Sequence, residues 1–301
     1  MASLTKAQIK LIQPVVKDKI SRVKFSANWQ KIYHTFEIGE PDGAEKYLFF
    51  NGQDWQLLRE MVQVNEGIDL LNVNFNQTRA EFALANKKEK YANIRPDANY
   101  VLVKLPRPVL PQEDIPYGLR MTVEQCLQLC QQHIPHNIVV VENLDAFDEI
   151  HQFNYANFPS EFTAHTLFVY RGGGGHSPAG CKRLLLEIST NAQLSKTVQV
   201  GAFADLDPAG LQIAHLLQGC QFVILPKFIH DKDGEQMSHD PLSLINDHHD
   251  YDKQWRQQKY LNKAKLQNWQ LVANFMQQHR ISIKQQHMLA HQLPLIYLPI
   301  D

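Results

Sequence analysis

Ala202-Phe-Ala-Asp-Leu-Asp-Pro-Ala-Gly210 decides how this chain is read. An apolar run ends in two acids, Asp205 and Asp207, and Pro208 then opens a stretch of helical pattern. Proline suits the first turn of a helix, where its missing N–H would have had no partner. A second junction of the same kind lies upstream, in Asn137-Ile-Val-Val-Val-Glu-Asn143, where Glu142 follows the apolar residues. Carboxylates at the carboxyl ends of parallel strands line the crevice where open α/β sheets bind ligands. Asp205 and Asp207, two apart, project in the same direction. Like charges that close cannot both stay ionised without a cation between them. Oxygen donors with no Cys or His beside them suit Mg²⁺ or Mn²⁺. Asp205 and Asp207 alone would read as a turn and a helix cap. With Glu142 on an earlier strand of the same unit, a metal site is the better reading.

The pattern around these junctions is regular. Apolar runs at 138–141, 166–170, 198–204 and 222–225 alternate with helical stretches at 144–152, 178–189 and 208–218. Short continuous apolar strands between helices imply an α/β fold, a parallel sheet flanked by helices on both faces. Thr122 is placed to cap a helix running to about 132. Residues 227–250 read as a polar loop, 251–279 as a polar helix carrying Trp255 and Trp269, and 293–298 as a terminal apolar segment. Upstream, Pro106, Pro108, Pro111 and Pro116 form a connector that neither a helix nor a central strand accommodates. The expected domains are therefore 1–116 and 117–301.

The first domain is expected to be mixed α+β: a helix at 5–13 stopped by Pro14, a strand at 47–50 turning at Asn51-Gly52, and helices at 55–64 and 77–92. A strand at 100–105 follows. Lys6, Lys10, Lys17, Lys19, Arg22 and Lys24 face only Asp18 in their segment. Such a basic module fits a winged-helix DNA binder, with Lys17, Lys19 and Lys24 as phosphate contacts, and equally a solvated helical face.

Across 301 residues, apolar residues make up 44%, charged residues 20%, and the net charge is −1. That composition describes an ordinary globular protein. It excludes a uniformly cationic coat but not a local basic patch. No apolar run reaches the length of a membrane span, and the start lacks a signal-peptide core. Cys126, Cys130, Cys181 and Cys220 include no Cys-x-x-Cys pair, so neither a zinc knuckle nor a disulfide framework is indicated. A reduced, cytoplasmic protein is expected.

A Glu after a first apolar strand, a glycine-bearing turn after a second and Asp-x-Asp after a third resemble the Toprim domain of topoisomerases, bacterial primases and several nucleases. The resemblance covers about 135–226. Asp205-Leu-Asp-Pro-Ala-Gly-Leu-Gln-Ile213 looks most like the branch holding the A subunit of type IIB topoisomerases and the nuclease subunit of Wadjet anti-plasmid systems. Val141-Glu-Asn143 is similar to the Wadjet subunit's first motif. The resemblance implies that Glu142, Asp205 and Asp207 are catalytic and hold Mg²⁺ or Mn²⁺. It implies a metal-dependent DNA endonuclease acting with an SMC/kleisin, condensin-like complex against plasmid DNA, and it is compatible with a homodimer. Two alternatives stay open. One is a topoisomerase-like DNA transesterase, although Tyr33, Tyr47 and Tyr91 lack the arginine pair of that family's nucleophile. The other is a non-catalytic DNA-binding or assembly module.

Other signals are weaker. Gly172-Gly-Gly-Gly-His-Ser-Pro-Ala-Gly-Cys-Lys182 lies where a phosphate loop would sit, but Cys181 replaces the required Lys, which excludes a nucleotide-hydrolysing loop. A turn that receives a phosphate of the scissile strand, with Arg171 and Lys182 adding charge, competes with a purely conformational turn. His287 and His291 have zinc-pair spacing but no third ligand, and His248-His249 with Asp247 and Asp250 reads as solvated loop. Asp231, Asp233, Glu235 and Asp240 are candidates for a second-metal ligand.

Overall fold

Thr5 opens the first helix, α1 (Lys6–Lys17), by a reciprocal cap in which its side chain takes the Gln8 N–H while Gln8 accepts the Thr5 N–H. The helix does not stop at Pro14. Val15 and Val16 beyond it are buried, and the Asp18 N–H still reaches the Pro14 carbonyl at 2.8 Å. Burial of those residues outweighs the one lost backbone bond. Then come β1 (Arg22–Lys24), α2 (Ala27–Phe36), β2 (Glu40–Pro41), β3 (Tyr47–Phe49), α3 (Gly52–Glu66) and α4 (Arg79–Ala85). The strands pair antiparallel in the order β1-β3-β2, so Pro41 sits on an edge, where a missing donor is tolerated. Ile9, Ile12, Ile32, Leu48, Leu58 and Val62 form the core. The helical stretch expected at 77–92 is broken after Ala85, with only a 3₁₀ turn at Glu89–Tyr91. Glu66, 2% exposed, explains the packing of that turn: it accepts from the Leu4 N–H and the Tyr91 hydroxyl, both at 2.8 Å, and from Lys88.

The computed structural model describes residues 4–105, 118–132, 135–173, 175–227 and 244–300. Pro106, Pro108, Pro111 and Pro116 lie outside the described residues, as do Asp231, Asp233, Glu235 and Asp240. The chain forms two compact units, Met1–Pro96 and Asp97–Asp301. The division falls ahead of the expected boundary at 116, because the strand expected at 100–105 belongs to the second unit's sheet.

That sheet contains β4 (Tyr100–Lys104), β5 (Leu119–Thr122), β6 (Asn137–Val141), β7 (Thr166–Tyr170), β8 (Gln199–Phe203), β9 (Cys220–Pro226) and β10 (Leu295–Pro299). Its order is β10-β9-β8-β6-β7-β4-β5. The four central strands are parallel, as their continuous apolar runs imply. The sheet is nevertheless mixed rather than wholly parallel, because β4 and β10 run antiparallel to the central strands and β5 pairs antiparallel with β4. Alternation along β6 sends Ile138 and Val140 to one face and Val139 and Val141 to the other. The first face is covered by α5 (Val123–Gln131) and α7 (Ala179–Thr190). On the second pack α6 (Leu144–Asp148), α9 (Pro208–Leu216) and α12 (Gln270–His279), with Trp269 fully buried among them. A short α8 (Leu194–Thr197) precedes β8.

The region expected as one helix over 251–279 is instead α10 (His248–Lys253), α11 (Trp255–Leu261) and α12, and α13 (Gln285–Ala290) leads to β10. Among the described residues, no helix is long and apolar enough to cross a membrane.

Candidate functional site

From β6 the chain crosses to β7 on one side, then returns past β6 to place β8 on its other side. Strand order reverses there, and the two crossovers leave on opposite faces. A crevice therefore opens at the carboxyl ends of β6 and β8. Glu142 follows β6, and Asp205 and Asp207 follow β8. The sheet thus brings the three acids together, as the sequence pattern implies.

The backbone holds them tightly. The Glu142 N–H donates to the Phe203 carbonyl at 3.0 Å, and the Glu142 carboxylate accepts the Asp205 N–H at 3.3 Å. Asp207 is 2% exposed and does two things. Its Oδ1 accepts the Gly210 N–H at 2.8 Å, capping α9, while its Oδ2 faces the Gln254 amide at 2.9 Å and Lys284 at 2.6 Å. The cap reading of Asp207 is thus realised by Oδ1, while Oδ2 faces the cluster formed with Gln254 and Lys284.

Lys284 is the residue that sequence reasoning missed. Its ammonium lies 3.4 Å from Asp205, 2.6 Å from Asp207 and 2.8 Å from Asp250. It arrives there because Leu206 and Ile283 pair backbone to backbone, at 2.9 and 3.0 Å. Gln285, fully buried, is next: its N–H donates to Asp205 at 2.9 Å, and its side chain bridges the Asn143 N–H and the Phe203 carbonyl. One glutamine thereby ties the ends of β6 and β8. Asp250 is no solvated loop residue. It sits in α10 and accepts from Lys284, the Ser282 hydroxyl and Gln254. Ile281, Ser282 and Ile283, which lead into Lys284, are all buried.

The charges do not balance. Glu142, Asp205, Asp207 and Asp250 are set against Lys284 and, more remotely, Arg171, whose Nη2 is 3.9 Å from Glu142. Burial, with Asp205 and Asp207 adding repulsion, pushes the Glu142 carboxyl up to about 7. Burial also raises Asp205. Hydrogen bonding to Lys284 holds Asp250 low, and the facing carboxylates raise Lys284 despite the opposing cost of its burial. Among the described residues no three His, Cys, Asp or Glu side chains stand as a ready-made cage. Lys284 lies between Asp205 and Asp207, and Glu142 is turned to the Asp205 N–H.

Of the other expected residues, Arg171 lies beside Glu142, and its buried Nε has no hydrogen-bond partner. Lys182 is exposed on α7. Lys17, Lys19 and Lys24 are exposed in the first unit. His287 is on α13 and His291 just beyond it, both exposed.

Residues 98–297 match the model of a family described as a domain of unknown function, DUF7281. No curated protein and no solved structure matches the chain. The match covers more than half of the chain, including the four parallel strands, the acids and Lys284, and the chain belongs to the DUF7281 family.

Proposed function

We propose that the chain is a Toprim-like, Mg²⁺- or Mn²⁺-dependent DNA endonuclease, with Glu142, Asp205 and Asp207 as the metal-holding acids. One observation carries the reading: carboxylates from two adjacent parallel strand ends meet at the reversal of strand order and carry more negative charge than Lys284 and Arg171 offset. The donor set fits a hard divalent cation, since every ligand atom is a carboxylate oxygen. Burial raises Glu142 and Asp205, and the neighbouring carboxylates add a repulsion that a bound cation would relieve. Bound there, a divalent cation would polarise a phosphodiester and neutralise the charge that develops as it breaks.

The chain's own residues supply the rest. Glu142 can take up or release a proton near neutral pH. Arg171 brings a partly exposed guanidinium to within 3.9 Å of Glu142, a group suited to a phosphate oxygen. Gln285 keeps the two strand ends in register. In the first unit, a helix, a strand, a helix and a β-hairpin carrying exposed Lys17, Lys19 and Lys24 fit a winged-helix-like DNA contact. With a net charge of −1, long-range attraction to a polyanion is weak, so efficient cleavage calls for a partner, for which an SMC/kleisin complex is the proposal.

Plasmid nicking in Mg²⁺ and in Mn²⁺, with and without partner proteins and ATP, tests this. Glu142→Ala, Asp205→Ala and Asp207→Ala should each abolish cutting while circular dichroism stays native. Continued nicking by the Asp205→Ala, Asp207→Ala double variant would remove the metal-site assignment. Fast cutting by the chain alone would remove the partner requirement.

A further inference from the structure

A cavity of about 240 Å³ lies at the carboxyl end of β7, and nothing in the cleavage chemistry above uses it. Tyr100 of β4 and Arg120 of β5 line it, and the Arg120 guanidinium stacks over the Tyr100 ring at 4.2 Å. Tyr170 also lines it, with the His176 ring edge-on at 5.8 Å. Gly172, Gly175 and Ser177 also line it. Gly172 and Gly175 have φ of +97° and +94°, a region that L side chains rarely adopt. A Cβ at Gly172 would strike Pro178 at 2.6 Å, whereas at Gly175 nothing lies within 4 Å, so the rim is tight at Gly172 and open at Gly175. The Ser177 hydroxyl accepts the Ala179 N–H at 3.2 Å, which leaves its own proton to donate.

Size, shape and charge each narrow the ligand. The volume is below the roughly 300–1,000 Å³ of drug-sized sites, so the occupant is a single small ring system. A guanidinium stacked on an aromatic ring presents a flat, π-compatible wall, which selects a planar heterocycle. Arg120 is offset by Asp97 at the rim, so the cavity itself has no strong excess of either charge. The anionic part of a ligand belongs at the turn, toward Arg171. That residue links the cavity to the acids, since it lies between Tyr170 and Gly172, which line the cavity, and reaches Glu142 at 3.9 Å.

We propose that this cavity holds one unpaired nucleotide of the DNA strand being cut, its base on the Arg120–Tyr100 wall and its phosphate toward Gly172, Gly175 and Ser177. This rests on the nuclease reading and adds to it a substrate class. A paired base cannot enter so small a space, so the chain must act on single-stranded, mismatched or flipped-out positions. Base stacking here orients the strand so that the adjoining phosphodiester faces Glu142.

The test uses the full chain carrying Asp205→Asn, in EDTA so that nothing is cut, titrated with a short single-stranded DNA containing 2-aminopurine. Binding should quench the probe, and intact duplex should bind more weakly. Arg120 is an exposed residue of an edge strand, so its variants should fold. Arg120→Ala should weaken binding about tenfold and abolish the quenching, the loss of one stacked base. Arg120→Lys keeps the charge but not the flat wall, so it should retain salt-sensitive binding without quenching. Binding and quenching unchanged in Arg120→Ala would overturn the cavity assignment, and it would leave the nuclease reading intact if the parent chain still cuts DNA in Mg²⁺. Failure of the parent chain both to bind the probe and to cut DNA would overturn both.

Discussion

Glu142 and Lys284 give the sharpest predictions at the scale of single residues. The folded chain holds the Glu142 proton up to about pH 7, against an ordinary 4.5. The folded form therefore binds more protons than the unfolded one between those values. Through this group alone, stability is highest below about 4.5 and declines as pH rises toward 7. Glu142→Gln can still accept the Asp205 N–H but has no charge to bury. In EDTA it should match the parent near pH 4 and exceed it above pH 7 by about 2–3 kcal/mol in urea melts. Equal stability at pH 8 would show that Glu142 carries no such strain. Lys284 makes a complementary case. Its ammonium stands between Asp205, Asp207 and Asp250, so a divalent cation has to share that space or displace it. Removing one positive charge at such range should raise Mn²⁺ affinity by about tenfold or more in Lys284→Met, read by electron paramagnetic resonance. Weaker Mn²⁺ binding in that variant would mean that the lysine helps to assemble the site rather than competing for it.

The elements meet the site with little room to spare. The first turn of α9 passes so close to the strand end that a Cβ on Gly210 would lie 2.1 Å from the Asp205 carbonyl oxygen. Backbone cannot yield there without moving Asp205 itself. Gly210→Ala should therefore cost about 1–3 kcal/mol and weaken cation binding as well, by the overpacking mechanism. Gly43→Ala is the control, since nothing lies within 4 Å of its added methyl. Calorimetric Mn²⁺ titrations with thermal melts of both variants check this. If Gly210→Ala is as stable and binds as well as the parent, α9 does not set the position of Asp205.

For the molecule as a whole, the proposed function requires a nearly neutral chain to meet a polyanion. Basic residues are concentrated in the first unit, where Lys17, Lys19 and Lys24 are all exposed. Each phosphate contact releases counterions and contributes about 0.9 to the slope of log affinity against log salt. The triple variant Lys17→Glu, Lys19→Glu, Lys24→Glu should bind duplex DNA more weakly and with a flatter slope, measured by fluorescence anisotropy from low to moderate salt. An unchanged slope would make this face solvated surface and send the DNA elsewhere, with Lys87, Lys88 and Lys90 the next to test.

The parallel strands, the acids at their ends and the helix opening at Pro208 were legible in the chain, because each depends on local pattern. A run such as Ile138–Val141 is apolar throughout only if both its faces are buried, and an acid that ends it has to lie at the rim. The cap box at Thr122 is likewise a matter of neighbouring residues. Pro14 was misjudged because burial of Val15 and Val16 is a tertiary quantity that overrides a local breaker. The outermost strands β5 and β10 were not legible as strands, because the hydrogen bonds that define them come from distant segments. Lys284, Gln285 and Asp250 were invisible for the same reason. Lys284 is 77 residues from Asp207 in sequence, and only the pairing of Leu206 with Ile283 carries its ammonium to the carboxylates. Local chemistry thus named the acids, but which cation faces them depends on contacts between segments far apart in the chain.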